Sequence, residues 1–107
     1  EACAIAEREG IPAATLYRLL TASTGDSRVL RNRFPLPGAD ESHPSGHGFA
    51  PLFALDLIEK DLTLGVDLAG ERAAPVAEAA LSAYRRAQAA GHGSLDYSAV
   101  YLTASSE

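Results

Sequence analysis

The chain has 107 residues, enough for one small domain that buries roughly 65% of the surface its unfolded form would expose. Nine Lys and Arg against fourteen Asp and Glu give a formal charge of −5, which argues against a nucleic-acid surface, since that needs clustered cations facing phosphate. No apolar run approaches the roughly 20 residues needed to span a bilayer, and the single Cys, Cys3, cannot form an internal disulfide, which points to a reducing, cytoplasmic setting. With no Met, and Glu at position 1, the expectation is one domain of a longer protein.

In chain order, EACAIAERE reads as a helix already under way, with Ala2, Ile5, Ala6 and Glu9 at helical spacing and Gly10 as its C-terminal stop. Pro12 suits the first turn of a second helix, whose stripe is Leu16, Leu19 and Leu20. A third, short helix is expected from about Asp26 to Arg33, with Leu30 and Phe34 four residues apart. Residues 35–48, PLPGADESHPSGHG, hold three Pro and three Gly and predict no regular element.

Helical periodicity returns in FALDLIEKDLTLGVDLAG, where Phe53, Leu57, Lys60, Asp61, Leu64 and Leu68 share one face. Asp56 and Lys60 form an i, i+4 pair with the acid first, the favourable orientation. Pro75 opens a further helix that Gly91 closes, with Val76, Ala79, Ala80, Ala83, Ala87 and Ala90 forming a smooth face that lets another helix approach closely. GHGSLDYSAV turns the chain, and Ser98 to Leu102 add a last helical turn. With no strand-length alternation and no internal repeat, the expected fold is an all-α, compact multi-helix bundle over residues 1–107.

Chemistry concentrates on the helix around Lys60. A Lys and an Asp on the apolar side of a helix are costly to bury unless paired or used. One reading has Lys60 snorkelling to solvent and pairing with Asp56. The other makes a site wall, with Phe53 an apolar platform, Lys60 a donor and Asp61 an orienting carboxylate. His43, His47 and His92 read as solvated loop residues, because Pro44 and Gly46 deny the first two the helix that would align them for a metal; no metal site is expected. Cys3, with no basic residue nearby, reads as a buried small hydrophobe. Arg85 and Arg86 read as a solvated face or half of an interface.

The succession NRF, PLPG, a polar insertion, F-x3-L-x2-KDL, a Pro-led helix, Tyr84, G-x-G and D-Y-SAV resembles the C-terminal domain of β-hydroxyacid dehydrogenases, closest to the 3-hydroxyisobutyrate dehydrogenase branch. The resemblance covers Glu1 to about Val100, and Phe53 through Leu62 is its most specific part. It departs from the family where APLF replaces Pro-Gly-Phe and where Glu59 precedes Lys60; the eight-residue gap to Asp61 favours Phe53 over Phe49.

The resemblance implies an NAD(P)-dependent oxidoreductase with its own N-terminal Rossmann domain upstream, a small hydroxyacid substrate and a homo-oligomeric state built through the first helix and helix 75–90. It implies a catalytic Lys upstream of Glu1, so that these residues alone are inactive. It implies that Phe53 lines the nicotinamide pocket, that Lys60 reaches the cofactor near its nicotinamide ribose, and that Asp61 supports the catalytic cluster. Reduction of an imine or aldehyde on the same architecture is a variant of this reading. The competing reading is a helical oligomerisation or interaction module without a catalytic role, which accounts for the apolar stripes but not for Phe53, Lys60 and Asp61 on one of them.

Overall fold

The computed structural model describes residues 1–36 and 42–106. Among them are six α-helices and no strand: α1 (Ala2–Arg8), α2 (Ala13–Thr21), α3 (Arg28–Arg33), α4 (Leu55–Ala69), α5 (Pro75–Ala89) and α6 (Val100–Ser106). The all-α expectation holds. Part of the PLPG segment, Pro37 and Gly38, lies outside the described residues.

Glycine ends two of the helices through one device. Gly10 (φ 78°) follows α1, where the Gly10 N–H reaches Glu7 O and the Ile11 N–H reaches Ala6 O. Gly91 (φ 89°) follows α5, with its N–H on Gln88 O and the His92 N–H on Ala87 O. Both patterns satisfy terminal carbonyls through a left-handed residue that lacks a Cβ. α3 begins at a side-chain cap: Ser27 Oγ accepts the Leu30 N–H at 3.0 Å. Pro12 stands one step earlier than expected, at the N-cap of α2.

Three expectations need correction. Residues 35–48 contain a 3₁₀ turn, Pro44–His47, because Pro44 fixes φ at its start and Gly48 (φ 69°) closes it. The last helix is longer than one turn: a 3₁₀ turn at Tyr97–Ala99 runs directly into α6. In α1 the buried residues are Cys3, Ala4 and Ala6, whereas Ile5 is exposed.

The core gathers Leu55, Phe49, Ala87 and Ala99, with Tyr84, Leu95 and Tyr97 packed against them. Full burial of Leu55 alone is worth about 2 kcal/mol. α4 and α5 pack along their lengths. Leu55, Ile58, Leu62, Val66 and Ala69 form the buried or half-buried side of α4. Glu59 on α4 accepts Arg85 Nε of α5 at 3.0 Å and Thr63 Oγ1 at 2.9 Å. Arg85 and Arg86 are both exposed, as the solvated-face reading expects, and Arg85 is in addition an interhelical link within the domain. At the other end of the domain, the Tyr101 hydroxyl of α6 donates to the Glu7 carboxylate of α1.

Candidate functional site

α4 has no capping side chain at its start, because Ala54 occupies the N-cap. Its first donors are satisfied from a distance: the Leu55 N–H bonds Leu95 O at 2.8 Å and the Asp56 N–H bonds Gly93 O at 2.9 Å. The segment between α5 and α6 therefore supplies the cap that the sequence before α4 lacks. Gly93 suits this closeness, since a Cβ there would lie 2.7 Å from Asp56 Cγ and the carboxylate would have to move. The Asp56 carboxylate in turn accepts Gln88 Nε2 at 2.7 Å.

Asp56 is therefore not the partner of Lys60. Lys60 Nζ lies 3.1 Å from Asp61 Oδ1, its neighbour in sequence. The Asp56–Lys60 reading failed because Asp56 sits in the first turn of α4, where the returning loop brings Gln88 within reach.

Phe53, Leu57, Lys60, Asp61, Leu64 and Leu68 do share a side of α4, but it is the side turned away from α5. Leu57 is 44% exposed, Leu64 60% and Leu68 87%. The Lys60 and Asp61 side chains are 60% and 50% exposed. Apolar residues occupy both sides of this helix, one facing the domain and one facing outward. The outward side presents leucines interleaved with an accessible ion pair.

Phe53 stands at the upper end of this face, two residues before α4. Its ring meets Tyr97 edge-on at a centroid distance of 6.2 Å. Its N–H is held by Asp96 Oδ1 at 3.1 Å, and its carbonyl accepts the Tyr97 N–H at 2.9 Å. Asp96 is fully buried and was not singled out by sequence reasoning. Its Oδ1 also accepts the Leu52 N–H, while Oδ2 accepts the Ser98 N–H at 3.1 Å and Ser98 Oγ at 2.6 Å. Burial pushes this carboxyl up, but the hydrogen bonds from Ser98, Phe53 and Leu52 outweigh it and hold it below the usual carboxylate range. Arg33 Nε lies 3.4 Å from Asp96 Oδ2, and its guanidinium stands 5.3 Å from the Tyr97 ring centroid. The available signal was the D-Y-S order, in which an Asp caps the turn two residues on.

The histidines do not converge. His43 is buried, contrary to expectation, with its ring edge-on to Tyr17 at 5.7 Å and Nδ1 3.0 Å from Ser42 Oγ. Among the described residues no group of three or more His, Cys, Asp or Glu is placed to hold a metal. Cys3 is buried as expected, and burial, reinforced by Glu7, pushes its thiol up to about 11.

The fold is that of the all-helical domains of NAD(P)-dependent hydroxyacid dehydrogenases, and comparison with known proteins shows this directly. Residues 1–103 match the family described as NAD-binding of NADP-dependent 3-hydroxyisobutyrate dehydrogenase, and the chain belongs to that family. It is 35% identical over 105 residues to a probable 3-hydroxyisobutyrate dehydrogenase of Mycobacterium tuberculosis, covering 96% of this chain and 35% of that protein. It is 36% identical over 102 residues to an L-threonate dehydrogenase of Cupriavidus necator, covering 94% and 32%. The structure of the Mycobacterium tuberculosis 3-hydroxyisobutyrate dehydrogenase with L-serine superposes with a TM-score of 0.84 at 33% identity, over 95% of this chain and 37% of that one. The chain thus spans about a third of the length of these relatives.

The family's cofactor is NAD(P). The outward side of α4 fits such a group: Lys60 presents an accessible ammonium able to donate to ribose or phosphate oxygens, and the exposed Leu57 and Leu64 offer apolar contact beside it. Among the described residues, no helix is long and apolar enough to cross a membrane.

Proposed function

We propose that this chain is the C-terminal domain of a cytoplasmic NAD(P)-dependent oxidoreductase that transfers a hydride between the nicotinamide and a small 3-hydroxyacid such as 3-hydroxyisobutyrate. The observation that carries this reading is the outward side of α4, where exposed leucines flank the Lys60–Asp61 pair while the opposite side is committed to α5. A helix whose second apolar side stays uncovered within its own domain suits a wall closed by another domain.

NAD(P), when bound, supplies the hydride acceptor or donor. Phe53 lines the nicotinamide side of the pocket and keeps water from it. Lys60 donates to the cofactor near the nicotinamide ribose, and Asp61 fixes the direction of that ammonium from 3.1 Å. The general acid/base, a Lys, lies in a preceding Rossmann-linked segment outside these 107 residues, so this chain alone turns nothing over. The names of the relatives support the substrate class: 3-hydroxyisobutyrate, L-threonate and L-serine each carry a carboxylate and a hydroxyl on the β-carbon.

A second surface favours homo-oligomerisation. A groove of about 1120 Å³ runs between α1, α3, α5 and α6, and Ile5, Val29, Val76, Ala79 and Ala83 line it. The small side chains of α5 leave room there for a helix of a second copy, consistent with the smooth face read from the sequence.

Lys60→Ala in the full-length protein tests the site. The KM for NAD(P) is expected to rise on the order of tenfold, about 1.4 kcal/mol, with the circular-dichroism helix signal unchanged. An unchanged kcat/KM for the cofactor would remove Lys60 from the site. Turnover by the isolated 107-residue chain would refute the placement of the catalytic Lys elsewhere.

A further inference from the structure

We propose that Asp96 is a positioning residue for the cofactor pocket, acting through Phe53, with Arg33 holding it in place from the end of α3. The inference deepens the reading in which Phe53 lines the nicotinamide side and rests on it.

Phe53 lies in no helix, so α-helical hydrogen bonding cannot fix its ring. Both of its backbone polar groups are instead taken by the Asp96-Tyr97 dipeptide: the N–H by Asp96 Oδ1 at 3.1 Å, the carbonyl by the Tyr97 N–H at 2.9 Å. The side chain of Tyr97 then meets the Phe53 ring edge-on. Next to it, the Asp96 N–H bonds Phe49 O at 2.8 Å, and Ala54 and Asp96 form an isolated antiparallel bridge. Two residues determine where the ring of a third can point.

A buried carboxylate is costly unless its lone pairs are filled. Asp96 fills them with four donors that split cleanly: Oδ1 faces Leu52 and Phe53, Oδ2 faces Ser98 twice. An amide in its place would fill both sides less well. With its oxygen toward Phe53, its NH2 would confront the Ser98 N–H, leaving that donor unpaired, and only the Ser98 hydroxyl could turn to accept from it. The ion pair with Arg33 adds a third element, α3, and the same guanidinium covers the Tyr97 ring. The latch therefore joins the end of α3, the segment before α4 and the turn before α6 at the point where Phe53 leaves the core.

The test is a double-mutant cycle on the Kd of NADH and NADPH, measured by titration calorimetry on the full-length protein. It uses Phe53→Leu, Asp96→Asn and their combination. Phe53→Leu is expected to raise Kd about tenfold, Asp96→Asn about as much, and the double variant no further than the weaker single. A double variant near the product of the two, about a hundredfold, overturns the proposal because Asp96 would then act independently of Phe53. So does an unchanged Kd in Asp96→Asn alongside a raised one in Phe53→Leu. An unchanged Kd in Phe53→Leu is a different signature: it removes Phe53 from the pocket and takes both readings with it. Should Asp96→Asn lose its helical signal, Arg33→Met replaces it in the same cycle, with about a threefold rise expected and the same additivity criterion deciding.

Discussion

The carbonyl of Gly93 accepts the Asp56 N–H at 2.9 Å, and the Asp56 carboxylate folds back over the glycine so closely that any Cβ there would force it to move. One loop thereby caps α4 and fixes its distance from α5 through Gln88. Gly93→Ala is expected to force the carboxylate off Gln88 and to destabilise the domain by about 1–3 kcal/mol. Urea denaturation checks this, and a change within about 0.5 kcal/mol would show that Asp56 can swing aside at little cost.

The helix boundaries were largely legible because glycine and serine announce them. Gly10 and Gly91 close α1 and α5 through left-handed backbone, and both can be read from position alone. The orientation of α4 was not legible, since Leu55, Ile58, Leu62 and Val66 make as good a stripe as Leu57, Leu64 and Leu68. Only the packing of α5 decides which side is inward. His43 illustrates the opposite failure: a Pro- and Gly-rich context reads as solvated, yet Tyr17 covers the ring. Asp96 was hidden because an Asp in a turn ordinarily faces water, and its four donors come from residues as far as 44 positions away. Local pattern reports caps well and reports distant partners poorly.

The two ends of the domain are tied by the Tyr101 hydroxyl on Glu7, with Arg8 Nη1 reaching Ala104 O at 3.4 Å beside it. Burial, then the bond to Glu7, pushes the Tyr101 phenol above its ordinary range, and burial raises Cys3 to about 11 from 9.0. Groups raised in the folded state contribute stability that is whole below their unfolded values and is lost as pH climbs through the folded ones. Stability is therefore expected to hold to about pH 9 and to fall between pH 9 and 11 as the thiol ionises first in the unfolded chain. Tyr101→Phe should cost about 1 kcal/mol at neutral pH and make the loss at higher pH shallower. Denaturation midpoints at pH 8, 10 and 11 measure both effects, and parallel curves for the variant and the parent would contradict the assignment.

Glu59 is held below the ordinary carboxylate range by its bond from Arg85, assisted by Thr63. A lowered group stabilises above its unfolded value and stops doing so as pH falls through the folded one. The link is solvent-accessible, so Glu59→Gln is expected to lower the urea midpoint only slightly at pH 7, less in 1 M salt, and not at all once the parent's carboxylate is protonated. A loss independent of salt and pH would mean that packing between α4 and α5, not charge, is what the substitution disturbs.

The uncovered side of α4 separates a cofactor wall from a merely tolerated surface. Leu68 is the most exposed of its leucines and makes no contribution to the packing against α5. Leu64 lies one turn nearer the Lys60–Asp61 pair. Leu64→Ser is expected to leave domain stability within about 0.5 kcal/mol, because exposed apolar side chains gain little from folding. If another domain of the full-length protein closes over this side, the same substitution should weaken NAD(P) binding several-fold while Leu68→Ser does so less, the effect fading with distance from Lys60. Calorimetric Kd values for the two variants, set beside their denaturation midpoints, decide the matter. A loss of stability without a change in Kd would place Leu64 in the packing of the domain itself, and equal Kd values for both variants and the parent would leave the outward leucines without a part in the pocket.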